Sequence, residues 1–184
     1  RSAEAAVKYF LYGAALSALM LYGMSWFYGL TGSTDLKVIA ATLMEIGAGA
    51  RMVALPALVL VMAGFGFKIG AVPFHQWAPD AYEGAPTPVT AFLSVGPKVG
   101  GFAVIIRVLL TALPLELPDI AMDWYSLLMA ISVVTMTVGN LVALWQTNIK
   151  RMLAYSSIAQ AGYVLIGVVS ASPRGVSAVL LYLV

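Results

Sequence analysis

The sequence predicts an all-α fold, a polytopic transmembrane helix bundle with a discontinuous (broken) helix around Lys68–Pro73. Three observations predict it. First, 61% of the 184 residues are hydrophobic and only 10% are charged, against about 25% charge in a soluble domain, and the mean hydropathy is +0.94. Second, apolar runs long enough to cross a ~30 Å hydrocarbon core recur along the chain, separated by short polar or proline-rich stretches. Third, one such run is punctuated by Gly64, Gly66, Lys68, Gly70 and Pro73, residues that weaken a helix and free its backbone groups. Irregular backbone at membrane depth is tolerated only where it is buried in protein or lines a wet cavity. The net charge of +2 is too small to point to nucleic acid, and the absence of cysteine excludes a thiolate-bound iron–sulfur cluster and any disulfide framework. No secretory signal pattern follows Arg1. The apolar runs reach close to both ends, so the expectation is a single transmembrane domain over residues 1–184, an internal fragment of a longer polytopic chain.

The first span is placed at 6–30, where Tyr9 to Leu30 is uncharged and Tyr22, Trp26, Phe27 and Tyr28 cluster as an interfacial belt does. Residues 31–51 form the first loop, in which Leu36, Ile39, Ala40, Leu43 and Met44 recur at the spacing of a short interfacial helix. The second span, 52–79, is broken: Met52 to Phe67 precedes Lys68, and Phe74–Trp77 is expected to form the shorter second part. The third span, 84–113, carries Lys98 and Arg107; Pro97 should free the carbonyl of Leu93, and Gly96 and Gly100 have the small-xxx-small spacing of a close helix neighbour. Residues 114–123 form a loop with Glu116, Asp119 and Asp123 and no cation. The fourth span, 124–149, is uncharged and offers Ser132, Thr135, Thr137 and Asn140 for bonds between helices. Lys150-Arg151 make a tight basic turn, the fifth span covers 152–172 with Ser156, Ser157 and Gln160 near its start, and a truncated sixth occupies 175–184. The loops about Glu83 and Lys150-Arg151 then share one side of the membrane, which the positive-inside rule makes cytoplasmic, and the 31–51 and 114–123 loops share the other.

Lys68 and Lys98 each lie 15 residues from Glu83, in the loop between their two helices. If those helices fold back on each other, both ammonium groups fall at one depth, no more than roughly 22 Å from the loop. An ionisable residue there is costly and is by default a functional site, and two facing each other suggest a path for protons or ions. Snorkelling is the competing account for Lys68 if its helix ends there; it is harder for Lys98, with 14 uncharged residues before it and eight after. Lys8 reads equally well as a positive-inside anchor. His75 reads as a packed interface residue without companions for a metal site. Asp80 and Glu83 read as helix caps or solvated groups, Lys150 and Arg151 as topology anchors, and Arg107 as a snorkelling residue.

The wording of residues 68–98 resembles a known family. Lys68-x4-Pro73-Phe74-His75-x-Trp77-x-Pro79-Asp80-x-Tyr82-Glu83-Gly84-Ala85-Pro86-Thr87-Pro88, then Lys98, Gly139-Asn140-Leu141 and Gln146-Thr147-Asn148-Ile149-Lys150-Arg151-Met152-Leu153-Ala154-Tyr155-Ser156-Ser157-Ile158 look like the antiporter-like membrane subunits of respiratory complex I, of the subunit N or mitochondrial subunit 2 type. The resemblance runs over nearly the whole chain. It implies the sixth to tenth of about fourteen helices, plus the start of the eleventh. It implies a proton half-channel in which Lys68 matches the lysine of the broken seventh helix, Lys98 the eighth-helix lysine that passes protons along the membrane axis, and Lys8 the sixth-helix lysine paired with a fifth-helix glutamate upstream of Arg1. Glu4, at the helix entrance, is not that glutamate. His75, Glu83 and Asp80 are accessory candidates.

The function so implied is that of a proton-translocating, non-redox subunit of NADH:quinone oxidoreductase, a translocase in which this chain does no redox chemistry. The alternatives are a subunit of a related cation/proton antiporter or membrane-bound hydrogenase, or a purely structural membrane spacer. The resemblance implies no cofactor in this chain, with NADH, FMN, iron–sulfur clusters and quinone in partner subunits. Its implied partners are other membrane subunits, including homologous antiporter-like ones, and lipid, with no nucleic acid. The expected location is an integral membrane one, the bacterial inner membrane first, with thylakoid or mitochondrial inner membrane as alternatives.

Overall fold

The computed structural model describes residues 2–113 and 118–183, with the backbone alone over 118–122. The described residues are helices and short connections: α1 (Ser2–Thr31), α2 (Leu36–Ile46), a 3-10 turn (Gly47–Ala50), α3 (Arg51–Ile69), α4 (Trp77–Gly84), α5 (Thr87–Ala112), α6 (Pro118–Leu144), α7 (Ile149–Val169) and α8 (Pro173–Leu183). Among the described residues, five stretches are long and apolar enough to cross a membrane: Ser2–Thr31, Leu36–Ile69, Thr87–Ala112, Asp123–Leu144 and Ile149–Val169. The chain is therefore a polytopic helical membrane bundle. Its outer surface carries Phe10, Phe92, Leu144 and Trp145, apolar residues that face outward as expected when the surroundings are lipid or neighbouring helices rather than water.

The sequence sets most boundaries by capping. Asp35 accepts from the Lys37 and Val38 amides at 2.8 and 3.4 Å and starts α2; Asn148 does the same for α7 through Lys150 and Arg151 at 2.9 and 3.4 Å. The first loop thus contracts to residues 32–35, because α2 and the 3-10 turn run almost directly into α3. The short helix expected there forms as α2, which buries Ile39, Ala40 and Leu43. The part of the 114–123 loop at and beyond 118 is helical, continuing α6 toward its N-terminus; Glu116 and the side chain of Asp119 lie outside the described residues. The fourth span ends at Leu144 rather than 149, leaving 145–148 to lead into the Asn148 cap.

The most buried of the candidate spans contains α3, which packs against α1, α5 and α6. Its Leu58, Phe65 and Ile69 join Leu43, Phe102, Ile105, Trp124 and Leu165 in the main core. Small residues bring the helices close: a Cβ on Gly139 of α6 would lie 2.7 Å from the Ala159 backbone nitrogen of α7. The predicted Gly96/Gly100 pair does not make such an approach, since nothing lies within 4 Å of where a Gly100 Cβ would sit. Gly101 is the contact instead, its Cβ position 2.9 Å from Ile69 Cγ2; turning Lys98 toward α7 rotates that glycine onto α3.

Two of the four polar residues read as bonding across helices do so, and a third reaches the segment between α3 and α4. Ser132 donates to the Gly162 carbonyl, Thr135 accepts from the Val72 amide, and Asn140 donates to the Tyr163 hydroxyl. Thr137 satisfies only its own helix, through Val133.

Candidate functional site

The broken helix is the scaffold of the site. α3 stops at Ile69 because Gly70 adopts φ 73, ψ 32 and its amide turns back to Phe67, a left-handed conformation that glycine reaches without steric cost. Residues 71–76 form turns with a cis Val72–Pro73 bond. The second part of the helix is α4, Trp77–Gly84, and not Phe74–Trp77 as the sequence suggested. Pro79 lies in its first turn, where an amide would have had no intrahelical partner, so it begins a helix rather than ending one. Protein groups satisfy the backbone opened by the break: the Trp77 indole donates to the Phe67 carbonyl at 2.9 Å, and the Val72 amide to Thr135 Oγ1 at 3.0 Å.

Lys98 lies across this break. It is 6% exposed, its Cε is 4.0 Å from where a Gly70 Cβ would sit, and its ammonium donates to both the backbone carbonyl and the hydroxyl of Ser157 on α7, each at 2.5 Å. It also lines a cavity of about 160 Å³ between α5, α7 and α8, with Ser157, Gln160 and Tyr182, where the Tyr182 hydroxyl bonds to the Gln160 side chain.

Lys68 lies at the same crossing, its Cβ 3.6 Å from where a Gly101 Cβ would sit. Its side chain is exposed, with its ammonium 5.7 Å from the Phe67 ring centre. The two lysines therefore do not face each other across the described residues. Lys98 points into the bundle and Lys68 out of it, while Phe67 and Ile69 on either side of Lys68 are buried. Lys8 is not buried either. Its side chain is 50% exposed and pairs with Glu4 at 2.8 Å and Asp80 at 3.0 Å. Of the three lysines assigned to the half-channel, Lys98 alone is buried among the described residues.

Asp80 and Glu83 do not cap α4, whose ends carry no side-chain cap. They are ionic instead. Arg151 reaches Asp80 at 2.6 Å and Glu83 at 3.2 Å, Asn148 donates to Glu83, and Lys150 donates to the Ala85 carbonyl at 2.9 Å. Burial by itself would raise the Asp80 carboxyl, but Arg151 and Lys8 hold it below its ordinary value of 3.8. Arg151 and Lys150, read from sequence as anchors, are therefore also the clamp that holds α4 to α7, and Glu4, Lys8, Asp80 and Glu83 line a cleft of about 200 Å³ there. At the far end of α3, Arg51 grips Asp123 of α6 at 2.7 Å. Asp80 and Glu83 thus sit with the 150–151 turn, and Arg51 with Asp123, as the loop assignment expected. His75 is half-buried, its Nδ1 without a hydrogen-bond partner among the described residues and its ring edge-on to Tyr155. Sequence reading missed Tyr82: its phenol donates to the Leu93 carbonyl at 3.4 Å, the group that Pro97 frees. The signal was available in the four-residue offset between Leu93 and Pro97.

α3 thus breaks one residue beyond Lys68, and Lys98 of α5 is buried beside that break. The profile of the family described as NADH:quinone oxidoreductase/Mrp antiporter, TM, matches residues 1–184. The chain belongs to that family. Among its relatives, the NADH-quinone oxidoreductase subunit N of Chlorobium chlorochromatii is 54% identical over all of this chain and 36% of its own length. The NAD(P)H-quinone oxidoreductase subunit 2 of Trichormus variabilis is 53% identical over all of this chain and 35% of its own length. This chain spans about a third of the length of the curated relatives it matches. Family members are also seen in solved assemblies. A chain of respiratory complex I from Thermus thermophilus matches at TM-score 0.77 and 39% identity, over 98% of this chain and 37% of that one. A chain of the archaeal membrane-bound sulfane sulfur reductase matches at 0.83 and 31%, over 98% and 36%.

Proposed function

We propose that this chain is part of a proton-translocating, non-redox membrane subunit of an NADH:quinone oxidoreductase, and that it carries the lysines of one half-channel. The observation that carries the reading is Lys98, held away from lipid at the break in α3 with its ammonium on Ser157. A lysine in such a place can cycle between charged and neutral forms as nearby charges move. Lys68, on the broken helix, is the adjacent carrier, and Lys8, already paired with Asp80, the carrier nearest the loop. His75, Asp80 and Glu83 shape the approach from the loop. NADH, FMN, iron–sulfur clusters and quinone belong to partner subunits in this reading, and homologous antiporter-like subunits are among its neighbours. The membrane is the bacterial inner membrane, with the 150–151 turn cytoplasmic.

The test is Lys98→Ala and Lys68→Ala in the intact complex, with proton pumping measured against electron transfer. Pumping is expected to fall strongly in both, and near-normal pumping in both overturns the reading. Lys68→Arg is a finer probe, since arginine does not release its proton.

A second reading, a subunit of a related antiporter or hydrogenase-like complex, has a specific observation behind it. The chain's fold matches sulfane sulfur reductase and a Dietzia Mrp complex at TM-score 0.83 each, above the complex I match at 0.77. Sequence favours the first reading, at 54% identity to a quinone oxidoreductase subunit against 31% and 25% for those two. Co-purification with redox subunits, as against sodium-dependent transport without them, separates the two.

A further inference from the structure

We propose that Arg151 is a positioning residue for Lys8. By holding one oxygen of Asp80 as a permanent counter-charge, it weakens that carboxylate's hold on Lys8 and lets the lysine release its proton without leaving Asp80 unpaired. The proposal rests on the reading of Lys8 as a proton carrier, and extends it to a residue of α7 that has no bond to Lys8.

The two oxygens of Asp80 are divided between two helices. Lys8 of α1 donates to Oδ2 at 3.0 Å, and Arg151 of α7 donates to Oδ1 at 2.6 Å. The two cations differ in one property: an ammonium can release its proton, whereas a guanidinium stays charged. A carboxylate bound to Lys8 alone would favour the charged lysine fully. It would also stand uncompensated, with its side chain only 28% exposed, whenever that lysine turned neutral. With Arg151 on the other oxygen both effects shrink, because Asp80 keeps a charged donor in either state of the lysine. Glu4 has no such role. It is an anion one turn from Lys8 on the same helix, with its side chain 63% exposed, and such pairs hold their partners weakly.

The boundary between α4 and α7 fixes Arg151 for this task. Its Nη1 also donates to Glu83 at 3.2 Å, and its Nε to the Gln146 side chain at 3.3 Å. Asn148, which caps α7, donates to Glu83 as well, and Lys150 is engaged with the Ala85 carbonyl. Lys8 is placed differently. Its side chain is 50% exposed, and it lines the cleft of about 200 Å³ with Glu4, Asp80 and Glu83, a polar space that admits water. Lys8 is therefore the cation of the cluster that can exchange a proton, and Arg151 the one that stays charged. Among the described residues, the charged groups around the Lys8–Asp80 pair are Glu4 of α1, Glu83 of α4, and Lys150 and Arg151 of α7.

The experiment uses the intact complex in membrane vesicles matched for assembled enzyme. Acetic anhydride acetylates only the neutral amine, so the acetylation rate of Lys8 at pH 8, read by peptide mass spectrometry, reports how firmly it holds its proton. Proton pumping is measured beside it. Arg151→Gln is expected to slow Lys8 acetylation roughly threefold, equivalent to half a pH unit and the scale of one charge in a wetted cleft, and to lower pumping. Arg151→Lys, which restores the charge, should return both toward wild type. Arg151→His, neutral at pH 8, should slow acetylation as the glutamine does, and stands in if Arg151→Gln fails to assemble. Asp80→Asn should speed acetylation, and in that background Arg151→Gln should have less than half its effect, since the carboxylate they compete for is gone. An unchanged Lys8 rate in assembled Arg151→Gln or Arg151→His, or an equal effect with and without Asp80, overturns the role of Arg151 while Lys8 stands as a carrier. Normal pumping by Lys8→Ala overturns both.

Discussion

Lys98 is 6% exposed with two bonds to Ser157, whereas Lys68, at the same crossing of α3 and α5, is exposed beside the Phe67 ring. Both amines follow an apolar run, and both lie next to a proline or glycine that opens the backbone. The side of the crossing separates them. The end of α3 gives its interior position to Ile69, and α5 gives one to Lys98 because α7 offers it a carbonyl and a hydroxyl. Polar partners, more than depth alone, decide which buried-looking lysine is actually interior.

The contrast can be broken most directly by chemical labelling. The sequence has no cysteine, so Lys68→Cys and Lys98→Cys each introduce the chain's sole thiol. A membrane-permeant maleimide is expected to modify position 68 at least about tenfold faster than position 98, following exposure. Equal rates would erase the distinction.

The crossing itself offers the next test. Gly101→Leu must displace Ile69, whose Cγ2 is 2.9 Å from the added Cβ, and should cost about 1–3 kcal/mol. Gly100→Ala, one residue away with nothing within 4 Å, should gain about 0.5–1 kcal/mol. Thermal unfolding of the detergent-purified protein gives both values, and equal effects would mean the helix is rotated otherwise.

On the Lys98 side, Asp80→Asn removes the carboxylate that joins α1, α4 and α7 and should cost about 1–3 kcal/mol at neutral pH. Asp80's folded value lies below 3.8, so its contribution is complete above that pH and is lost as pH falls through the lower, folded value. The difference between wild type and Asp80→Asn should therefore shrink only in acid. At the opposite end of α3 from Lys68, Arg51→Ala breaks the ion pair with Asp123. With the arginine side chain 49% exposed, the expected cost is smallest, about 0.2–1 kcal/mol.

The broken helix could be read from Gly70 and Pro73, since glycine reaches the left-handed region freely and proline has no amide to continue a helix. Its second part was misplaced because Pro79 looks like a terminator in one dimension, whereas the first turn of a helix accepts it. The opposite fates of Lys68 and Lys98 were not legible. Their flanking sequences are alike, and the difference lies in Ser157, 59 residues from Lys98. The Asp80 hub was hidden for the same reason, its cations standing 72 and 71 residues away. The Gly96/Gly100 spacing identified a face for close packing but not the rotation that brings Gly101 to Ile69.

The charged pairs at the two ends of the bundle have one mechanical consequence. Arg51–Asp123 fixes α3 against α6 at one membrane face, and Arg151–Asp80–Lys8 fixes α4 against α7 and α1 at the other. Pinned at opposite ends, these helices resist pistoning along the membrane normal.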